Sequence, residues 1–155
     1  MERLRKYSDL APPNASPTLA FNLPELQYPD HLNAVEAVFD GARNSRWTSQ
    51  TVFFANDETW SFERVENEVG RYATALKALD IGIGDRVILR IPDTIELVVA
   101  LLGVQAIGGI AVPTYTQLRI DDLVYRAKDA DAKLIVCSTE LLGEALRVPA
   151  ATNDR

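Results

Sequence analysis

The sequence predicts an α/β fold, in which a parallel sheet flanked by helices follows an extended Pro-rich arm and a β-hairpin. Three observations support this prediction. The 155 residues are 47% hydrophobic and 25% charged, which is typical of a globular domain. From residue 86 onward, short apolar runs alternate with segments of helical periodicity, as in sheets of parallel strands joined by helices. Five of the 8 prolines lie within residues 1–30.

Residues 1–30 are expected to form the arm, because proline fixes its own φ and biases the preceding residue toward extended geometry. Its apolar side chains predict that it lies across a surface; they are Leu19, Phe21, Leu23, Leu26 and Tyr28. A disordered tail is the alternative for residues 1–15. Residues 31–147 are expected to form a partial α/β domain, and residues 148–155, which lack periodicity, a frayed tail.

Within residues 31–147, apolar positions first recur at helical spacing from Leu32 to Phe39, and Gly41 is expected to end that helix. Residues 51–55 and 59–61 flank a short polar turn and predict a hairpin. An amphipathic helix is expected over residues 62–79, capped by Ser61. The pattern then predicts strand 86–91, helix 95–107, strand 110–113, helix 121–130 and strand 133–137.

Charge and composition exclude several classes of protein. Lys and Arg number 16 against 22 Asp and Glu, a net charge of −6, which argues against nucleic acid as the main partner. The single cysteine, Cys137, excludes an internal disulfide, and the single histidine excludes a His-rich metal site. The charged N-terminus lacks a secretory pattern, so a cytoplasmic location is expected. Residues 97–112 carry no charge but contain Gln105 and the pair Gly108-Gly109, which predicts a buried helix and strand rather than a membrane span.

Three motifs could carry chemistry, and each has a structural interpretation that the sequence favours. Gly82-Ile-Gly84-Asp85 follows a predicted helix and precedes a strand, which is the reverse of a phosphate-binding loop and indicates a helix cap and turn. Gly108-Gly109 lies in the same context and predicts a tight connection. Asp121 and Asp122 stand in the first turn of a helix, where acidic residues are favoured by the helix dipole.

The remaining candidates are single residues. His31 has no second histidine or nearby cysteine with which to build a metal site or a catalytic triad. Cys137 ends an apolar strand and is interpreted as a small core residue. Trp47 and Trp60 are interpreted as packing anchors. The sequence contains no Gly-rich loop with a lysine and no Ser-centred nucleophile elbow. We therefore expect no catalytic, cofactor-binding or metal-binding residue in these 155 residues.

A series of short motifs, in order and spacing, resembles the opening of the AMP-forming acyl-CoA synthetases. The motifs are Thr59-Trp-Ser-Phe-Glu-Arg-Val65, Ala75-Leu76, Ile83-Gly-Asp-Arg-Val87, Arg90-Ile-Pro-Asp93, Glu96, Ala100-Leu-Leu-Gly103, Gln105-Ala-Ile-Gly-Gly-Ile-Ala-Val-Pro113, Asp122-Leu, Asp129-Ala-Asp-Ala-Lys and Leu134-Ile-Val136. Leu23-Pro-Glu-Leu-Gln-Tyr-Pro29 followed by Leu32-Asn33 is similar to the start of aryl-CoA ligases that act on benzoate or 2-aminobenzoate. The resemblance covers roughly residues 7–143.

This resemblance implies a two-step ligase. A carboxylate attacks the α-phosphate of ATP to give an acyl-adenylate and pyrophosphate, and the thiol of coenzyme A then displaces AMP. In the family, the phosphate loop, the magnesium site, the adenine pocket and the lysine of a mobile C-terminal domain all follow the region matched here. The chain is therefore expected to be an N-terminal fragment that is not catalytic alone, with ATP, Mg²⁺ and coenzyme A serving the full-length enzyme. At Ile120, relatives tend to carry a small hydroxyl residue that can cap a helix.

Two alternatives are open at this point. The chain could be a non-catalytic scaffold or assembly module that pairs with a separately encoded remainder of the ligase. An unrelated flavodoxin-like binding domain would need an anion or flavin site at the carboxyl ends of the strands. Pro92, Pro113 and Cys137-Ser-Thr139 lie at those ends without a glycine-rich loop. A partial parallel sheet leaves apolar surface bare, so self-association or dependence on the missing part of the ligase is also expected.

Overall fold

A computed structural model describes residues 22–24, 27–55 and 57–148. The chain divides into two compact units, residues 1–32 and residues 33–155. In the first unit, the described residues are exposed and lack regular strands, and the amide of Gln27 donates to the carbonyl of Pro24. Most of the predicted arm, and residues 149–155 of the predicted tail, lie outside the described residues, so both predictions stay open.

The second unit has the predicted α/β architecture. Its strands are β1 (Thr51–Ala55), β2 (Glu58–Ser61), β3 (Arg86–Arg90), β4 (Ile110–Pro113) and β5 (Ala132–Cys137). Its helices are α1 (Ala34–Asn44), α2 (Phe62–Ala78), α3 (Ile95–Ala106), α4 (Ile120–Asp129) and the short α5 (Leu142–Ala145), which follows a 3₁₀ turn at Thr139–Leu141. The parallel sheet confirms the predicted fold class.

The strands form two separate sheets. β1 and β2 pair antiparallel as the predicted hairpin, and β4, β3 and β5 pair parallel in that order. β3 is the central strand of the parallel sheet, and its residues Val87, Ile88 and Leu89 are 0% exposed. Strands that are buried on both faces are expected to be continuously apolar, which explains the Val-Ile-Leu run.

Helices cover both faces of the parallel sheet. Val87 and Leu89 face one side and pack with Ala100 and Val104 of α3. Ile88 faces the other side and packs with Leu123 of α4. Successive side chains of a strand point to opposite faces, so this three-residue run serves two cores at once.

A second apolar cluster joins the first three helices to the hairpin. Its buried members are Val35, Phe39, Val65, Val69 and Val99, and Trp60 and Phe53 pack against it. Asn33 secures this cluster at one end. Its side-chain oxygen accepts from the amides of Val35 and Glu36, and its Nδ2 donates to the carbonyls of Gln105 and Ala106. One polar side chain therefore caps the start of α1 and the end of α3.

The close packing of α2 on α3 depends on a glycine. A Cβ atom placed on Gly103 would lie 2.7 Å from Cδ1 of Tyr72 and 3.1 Å from its Cβ. Real Cβ atoms do not approach other carbons so closely, so the tyrosine occupies the space that a larger residue at position 103 would need. Tyr72 is mostly buried here, and burial raises the pKa of its hydroxyl to about 12.

Two predicted helix ends were wrong. Gly41 lies inside α1, which continues to Asn44, because the buried residue Ala42 extends the apolar face by another turn. The cap of α4 is Arg119 rather than residue 120, since the helix already begins at Ile120, and Arg119 makes no side-chain capping bond. Ser61 does cap α2 as expected, accepting from the amide of Arg64 at 3.2 Å.

None of the helices in the described part of the chain combines the length and the apolar character that crossing a bilayer requires.

Candidate functional site

The carboxyl ends of the three parallel strands meet at one edge of the sheet. We define the carboxyl edge as Arg90, Pro113 and Cys137, which end β3, β4 and β5, together with the segments that follow these strands. Arg90 and Cys137 are direct partners in the strand register. In open α/β sheets, ligands bind outside the carboxyl ends of the strands, so a ligand site in this unit is expected at this edge.

Arg90 dominates the carboxyl edge. Its side chain is 1% exposed, although it carries a full positive charge. Nη2 donates to the carbonyls of Thr116 and Leu118, both at 2.9 Å, and to Oε2 of Glu144 at 2.6 Å. Nε and Nη1 are also buried, and among the described residues neither has a hydrogen-bond partner. The guanidinium thus binds three acceptors through a single nitrogen.

Cys137 lies beside this guanidinium and is only partly exposed. Burial raises the pKa of its thiol, and the charge of Arg90 opposes that rise without reversing it. The thiol therefore stays protonated at neutral pH, and a protonated thiol is a poor nucleophile. This geometry supports the interpretation of Cys137 as a packing residue.

The opposite edge of the sheet has a denser network of ion pairs. We define the amino edge as the start of β3 and β5 together with the α2–β3 connection. Nζ of Lys133 lies 3.1 Å from Oδ2 of Asp85 and 3.2 Å from Oδ2 of Asp80, and it also donates to the carbonyl of Asp80. These hydrogen bonds, first to Asp85 and then to Asp80, raise the pKa of Lys133. The lysine is therefore held between two carboxylates.

Arg86 ties the amino edge to the end of α4. Its Nε donates to the carbonyl of Ala130 at 2.7 Å, and its Nη1 donates to the carbonyl of Gly84 at 2.8 Å. Its Nη2 donates to both the carbonyl and the carboxylate of Asp131, at 2.9 and 2.6 Å. Every nitrogen of this guanidinium has a partner, so Arg86 acts as a structural crosslink.

The amino edge contains the Gly82-Ile-Gly84-Asp85 motif. Gly84 has φ +75°, and its amide donates to the carbonyl of Gly108 at 2.9 Å. The amide of Gly82 donates to Oδ2 of the buried Asp85 at 2.9 Å. Because a carboxylate of the protein already occupies this turn, its amides are not arranged for an external phosphate. The residue of left-handed conformation that follows α2 is Asp80, with φ +58°, rather than Gly82.

Gly108-Gly109 forms the tight connection between α3 and β4. Gly108 has φ +75°, and a Cβ on Gly109 would lie 2.9 Å from Cγ1 of Val104. Both glycines are therefore required by local geometry. Asp121 and Asp122 are exposed in the first turn of α4. No cluster of three or more metal-ligating residues occurs in the part of the chain that the structure describes.

The three aromatic candidates differ in their surroundings. His31 is exposed, and Trp47 is half exposed. Trp60 packs on the helical cluster, and the guanidinium of Arg64 stacks 3.8 Å from the centre of its ring. This contact is a cation–π interaction that anchors the hairpin to α2.

A cavity of about 760 Å³ runs along the outer face of α2. Its lining residues are Ser61, Glu63, Arg64, Asn67, Glu68, Gly70, Arg71 and Thr74. Both of its cations are already paired, Arg64 with Glu58 at 2.7 Å and Arg71 with Glu68 at 3.1 Å. The cavity therefore offers an anionic ligand no unpaired cation, and it lies on a single helix rather than where several elements converge.

The Arg90–Glu144 pair was missed by the sequence interpretation. The two residues are 54 positions apart, and α5, which carries Glu144, has no apolar periodicity. The available signal was Arg90 itself, a charged residue that directly follows the apolar run Val87-Ile-Leu89 of a predicted strand. A charge in that position needs an acceptor from elsewhere in the chain.

Comparison with known proteins identifies the family of this chain. Residues 41–154 match the AMP-binding enzyme family. The chain belongs to that family, and this membership excludes the flavodoxin-like alternative.

Individual relatives are acyl-CoA and aryl-CoA ligases. The chain is 28% identical over 118 residues to the 3-hydroxybenzoate–CoA/4-hydroxybenzoate–CoA ligase of Thauera aromatica, covering 76% of this chain and 23% of that protein. It is 37% identical over 101 residues to the acetyl-coenzyme A synthetase of Thiobacillus denitrificans, covering 63% and 15%. Among solved structures, the anthranilate CoA ligase AuaEII in complex with anthranoyl-AMP is similar, with TM-score 0.73, 26% identity, and coverage of 81% and 24%.

These findings confirm the resemblance to AMP-forming acyl-CoA synthetases. The chain spans less than a quarter of the length of each of these three relatives. It thus corresponds to part of a domain of the AMP-binding enzyme family.

Proposed function

We propose that this chain is the N-terminal scaffold portion of an AMP-forming aryl-CoA ligase and does not catalyse the reaction alone. The full enzyme would convert a carboxylate, ATP and coenzyme A into an acyl-CoA, AMP and pyrophosphate. The observation that carries this proposal is the family match over residues 41–154 combined with the small share of each relative that the chain spans. Residues 1–30, 31–147 and 148–155 would be its arm, partial domain and tail.

The amino edge of the sheet does not fit a nucleoside triphosphate. Its Gly82-Ile-Gly84-Asp85 turn contains the Asp85 carboxylate, which would repel phosphate. Lys133 is held between Asp80 and Asp85, and Arg86 has a partner at each nitrogen. Nucleotide and magnesium binding are therefore assigned to parts of the ligase outside this chain, and no catalytic step is derived for its residues.

Two observations support an aryl carboxylate as the substrate of the full enzyme. The arm resembles aryl-CoA ligases, and the similar proteins include ligases named for hydroxybenzoates and for anthranilate. The second candidate is a small aliphatic acid, because the acetyl-coenzyme A synthetase of Thiobacillus denitrificans is the more identical of the two curated relatives described above. An experiment on the full enzyme should therefore compare aryl carboxylates with small aliphatic acids as substrates.

The outer strands support the proposal that the sheet needs a further covering element. Residues 87–89 of the central strand are fully buried, whereas Leu134, Ile135 and Val136 of β5 are only partly buried. We propose that these strands are covered by the remainder of the ligase or, in its absence, by self-association. A cytoplasmic location, and the absence of nucleic-acid and membrane partners, remain predictions from the sequence.

Exchange of labelled pyrophosphate into ATP tests the proposal. The 155-residue chain should give no exchange with 2-aminobenzoate, benzoate or acetate, while the Thauera aromatica ligase with a hydroxybenzoate serves as the positive control. Carboxylate-dependent exchange by the chain alone would overturn the scaffold assignment. Size-exclusion chromatography with a hydrophobic dye tests the uncovered sheet, for which a monodisperse monomer that binds no dye would be the contrary result.

A further inference from the structure

The hydrogen bonds of Arg90 are distributed unevenly over its guanidinium. An arginine side chain has five N–H donors, two on each Nη and one on Nε. The two donors of Nη2 serve three acceptors, the carbonyls of Thr116 and Leu118 and the carboxylate of Glu144. The three donors of Nε and Nη1 have no acceptor among the described residues. A buried donor without a partner is unfavourable, so this guanidinium has unused capacity to bind an anion.

The contact with Glu144 uses only part of what an arginine offers a carboxylate. Carboxylates commonly bind guanidinium groups through two parallel N–H···O bonds. Both edges that provide such a pair, Nε with Nη2 and Nη1 with Nη2, include Nη2. Glu144 reaches Nη2 through Oε2 alone, and it shares that nitrogen with two carbonyls. An arriving carboxylate that displaced Glu144 would gain a second donor.

The short helix α5, which brings Glu144 to Arg90, is held weakly. α5 has four residues, and none of them is buried. The side chain of Glu144 is 52% exposed, so it can return to water without losing much apolar contact. The carbonyls of Thr116 and Leu118 belong to the β4–α4 connection and would keep the guanidinium in place when α5 moves. The neighbouring thiol of Cys137 is neutral and adds no repulsion.

We propose that the carboxyl edge contains a carboxylate-binding subsite centred on Arg90, with Glu144 as its displaceable internal ligand. A small planar carboxylate binds Nη2 together with Nε or Nη1, and Glu144 rotates into solvent. The subsite does not depend on the proposed function, because its geometry comes from this chain alone. It assigns a ligand class to a residue that the sequence interpretation left without a role.

The test follows the Nε–H resonance of Arg90 in ¹H–¹⁵N spectra of the full 155-residue chain, with the signal assigned from Arg90→Lys. Sodium benzoate is titrated at constant ionic strength, with sodium phosphate as a second arm. Benzoate should shift the Arg90 resonance saturably. In Glu144→Ala it should do so at a concentration lower by about tenfold, as expected when a competing charged hydrogen bond is removed. Glu140→Ala, in the same segment, is the matched control and should titrate like the wild type.

The Nε–H resonance of Arg86 serves as the internal reference, because its donor is already bonded to Ala130 and should not move. If neither the wild type nor Glu144→Ala shows a shift at Arg90, the subsite does not exist. A benzoate affinity that Glu144→Ala leaves unchanged would remove Glu144 from the proposal, and a response to phosphate alone would contradict the carboxylate class. Glu144→Gln, which keeps the shape of the side chain, repeats the comparison should the alanine variant fail to fold.

Discussion

Arg86 and Arg90 stand at opposite ends of β3, and the same residue type is used in two different ways. Both side chains are largely withdrawn from solvent, with exposures of 11% and 1%. At the amino edge, each nitrogen of Arg86 has at least one partner. At the carboxyl edge, Arg90 uses only Nη2. At the amino edge the hydrogen-bond donors of Arg86 are satisfied by this chain, whereas at the carboxyl edge Nε and Nη1 of Arg90 have no partner among the described residues and remain free to bind a ligand.

The difference follows from what surrounds each end. The amino edge is built from the α2–β3 and α4–β5 connections, whose carbonyls and carboxylates accept hydrogen bonds from Arg86 of β3. The carboxyl edge is built from the connection before α4 and from the short, exposed α5, in which no residue is buried. Ligand sites of open α/β sheets lie at the carboxyl edge. The amino edge is therefore a structural edge, and the carboxyl edge is the one with capacity to bind a ligand.

The largest effect is expected at the amino edge from Asp85→Ala. This carboxylate is 6% exposed and accepts from the amide of Gly82 and from Lys133, so its loss leaves a partly buried amide without its partner and Lys133 with Asp80 alone. We expect a loss of about 2–3 kcal/mol in the free energy of unfolding. Asp93→Ala, an exposed aspartate just beyond the other end of β3, is the control and should change stability by about 0.5 kcal/mol or less. Urea denaturation at neutral pH measures both, and equal losses would contradict the comparison.

Replacing each arginine by methionine tests the comparison directly. Arg86→Met removes a donor from four acceptors and should cost about 2 kcal/mol. Arg90→Met removes a buried charge whose Nε and Nη1 have no partner in the described structure, so the relief of desolvation should keep its stability within about 1 kcal/mol of wild type. The same denaturation experiment applies. A loss in Arg90→Met as large as that in Arg86→Met would show that the two ends are equally structural.

Alkaline pH isolates the contribution of Lys133. Hydrogen bonds to Asp85 and Asp80 raise its pKa above the ordinary 10.5. The stabilisation is therefore complete below pH 10.5 and is lost as the pH rises through the pKa of the folded state. Lys133→Met should lose less stability than wild type over that range, as followed by thermal unfolding. Tyr72→Phe is the control, because burial raises the pKa of Tyr72 to about 12 and makes it a second source of alkaline destabilisation. An identical alkaline decline in wild type and Lys133→Met would remove Lys133 from the network.

The smallest effects are expected from the carboxylate partners of the two arginines. Glu144 and Asp131 are both more than half exposed and lie 2.6 Å from their arginines. Glu144→Gln and Asp131→Asn keep a hydrogen-bond acceptor, and asparagine tolerates the positive φ of residue 131. Each variant should change stability by less than about 1 kcal/mol. A much larger loss in Glu144→Gln would identify Glu144 as a fixed partner of Arg90 rather than a displaceable one.

The sequence predicted the elements whose causes are local. The periodicity of α2 and its Ser61 cap, the hairpin, and the alternation of strands and helices all depend on residues a few positions apart. Gly41 was wrongly assigned as a helix end, because burial of Ala42 outweighs the weak helix propensity of one glycine. The Arg90–Glu144 contact could not be predicted, since it joins distant segments and α5 has no apolar pattern. Sequence thus predicted the fold, and tertiary structure was needed for the candidate site.

Calorimetric titration of the 155-residue chain with ATP and magnesium tests the central claim most directly. We assign scaffold to these residues and nucleotide binding to the rest of the ligase, because the glycine turn of the amino edge holds a carboxylate and its cations are paired. The titration should therefore give only heats of dilution. Saturable binding of one nucleotide per chain, abolished by a substitution within residues 33–148, would contradict that assignment.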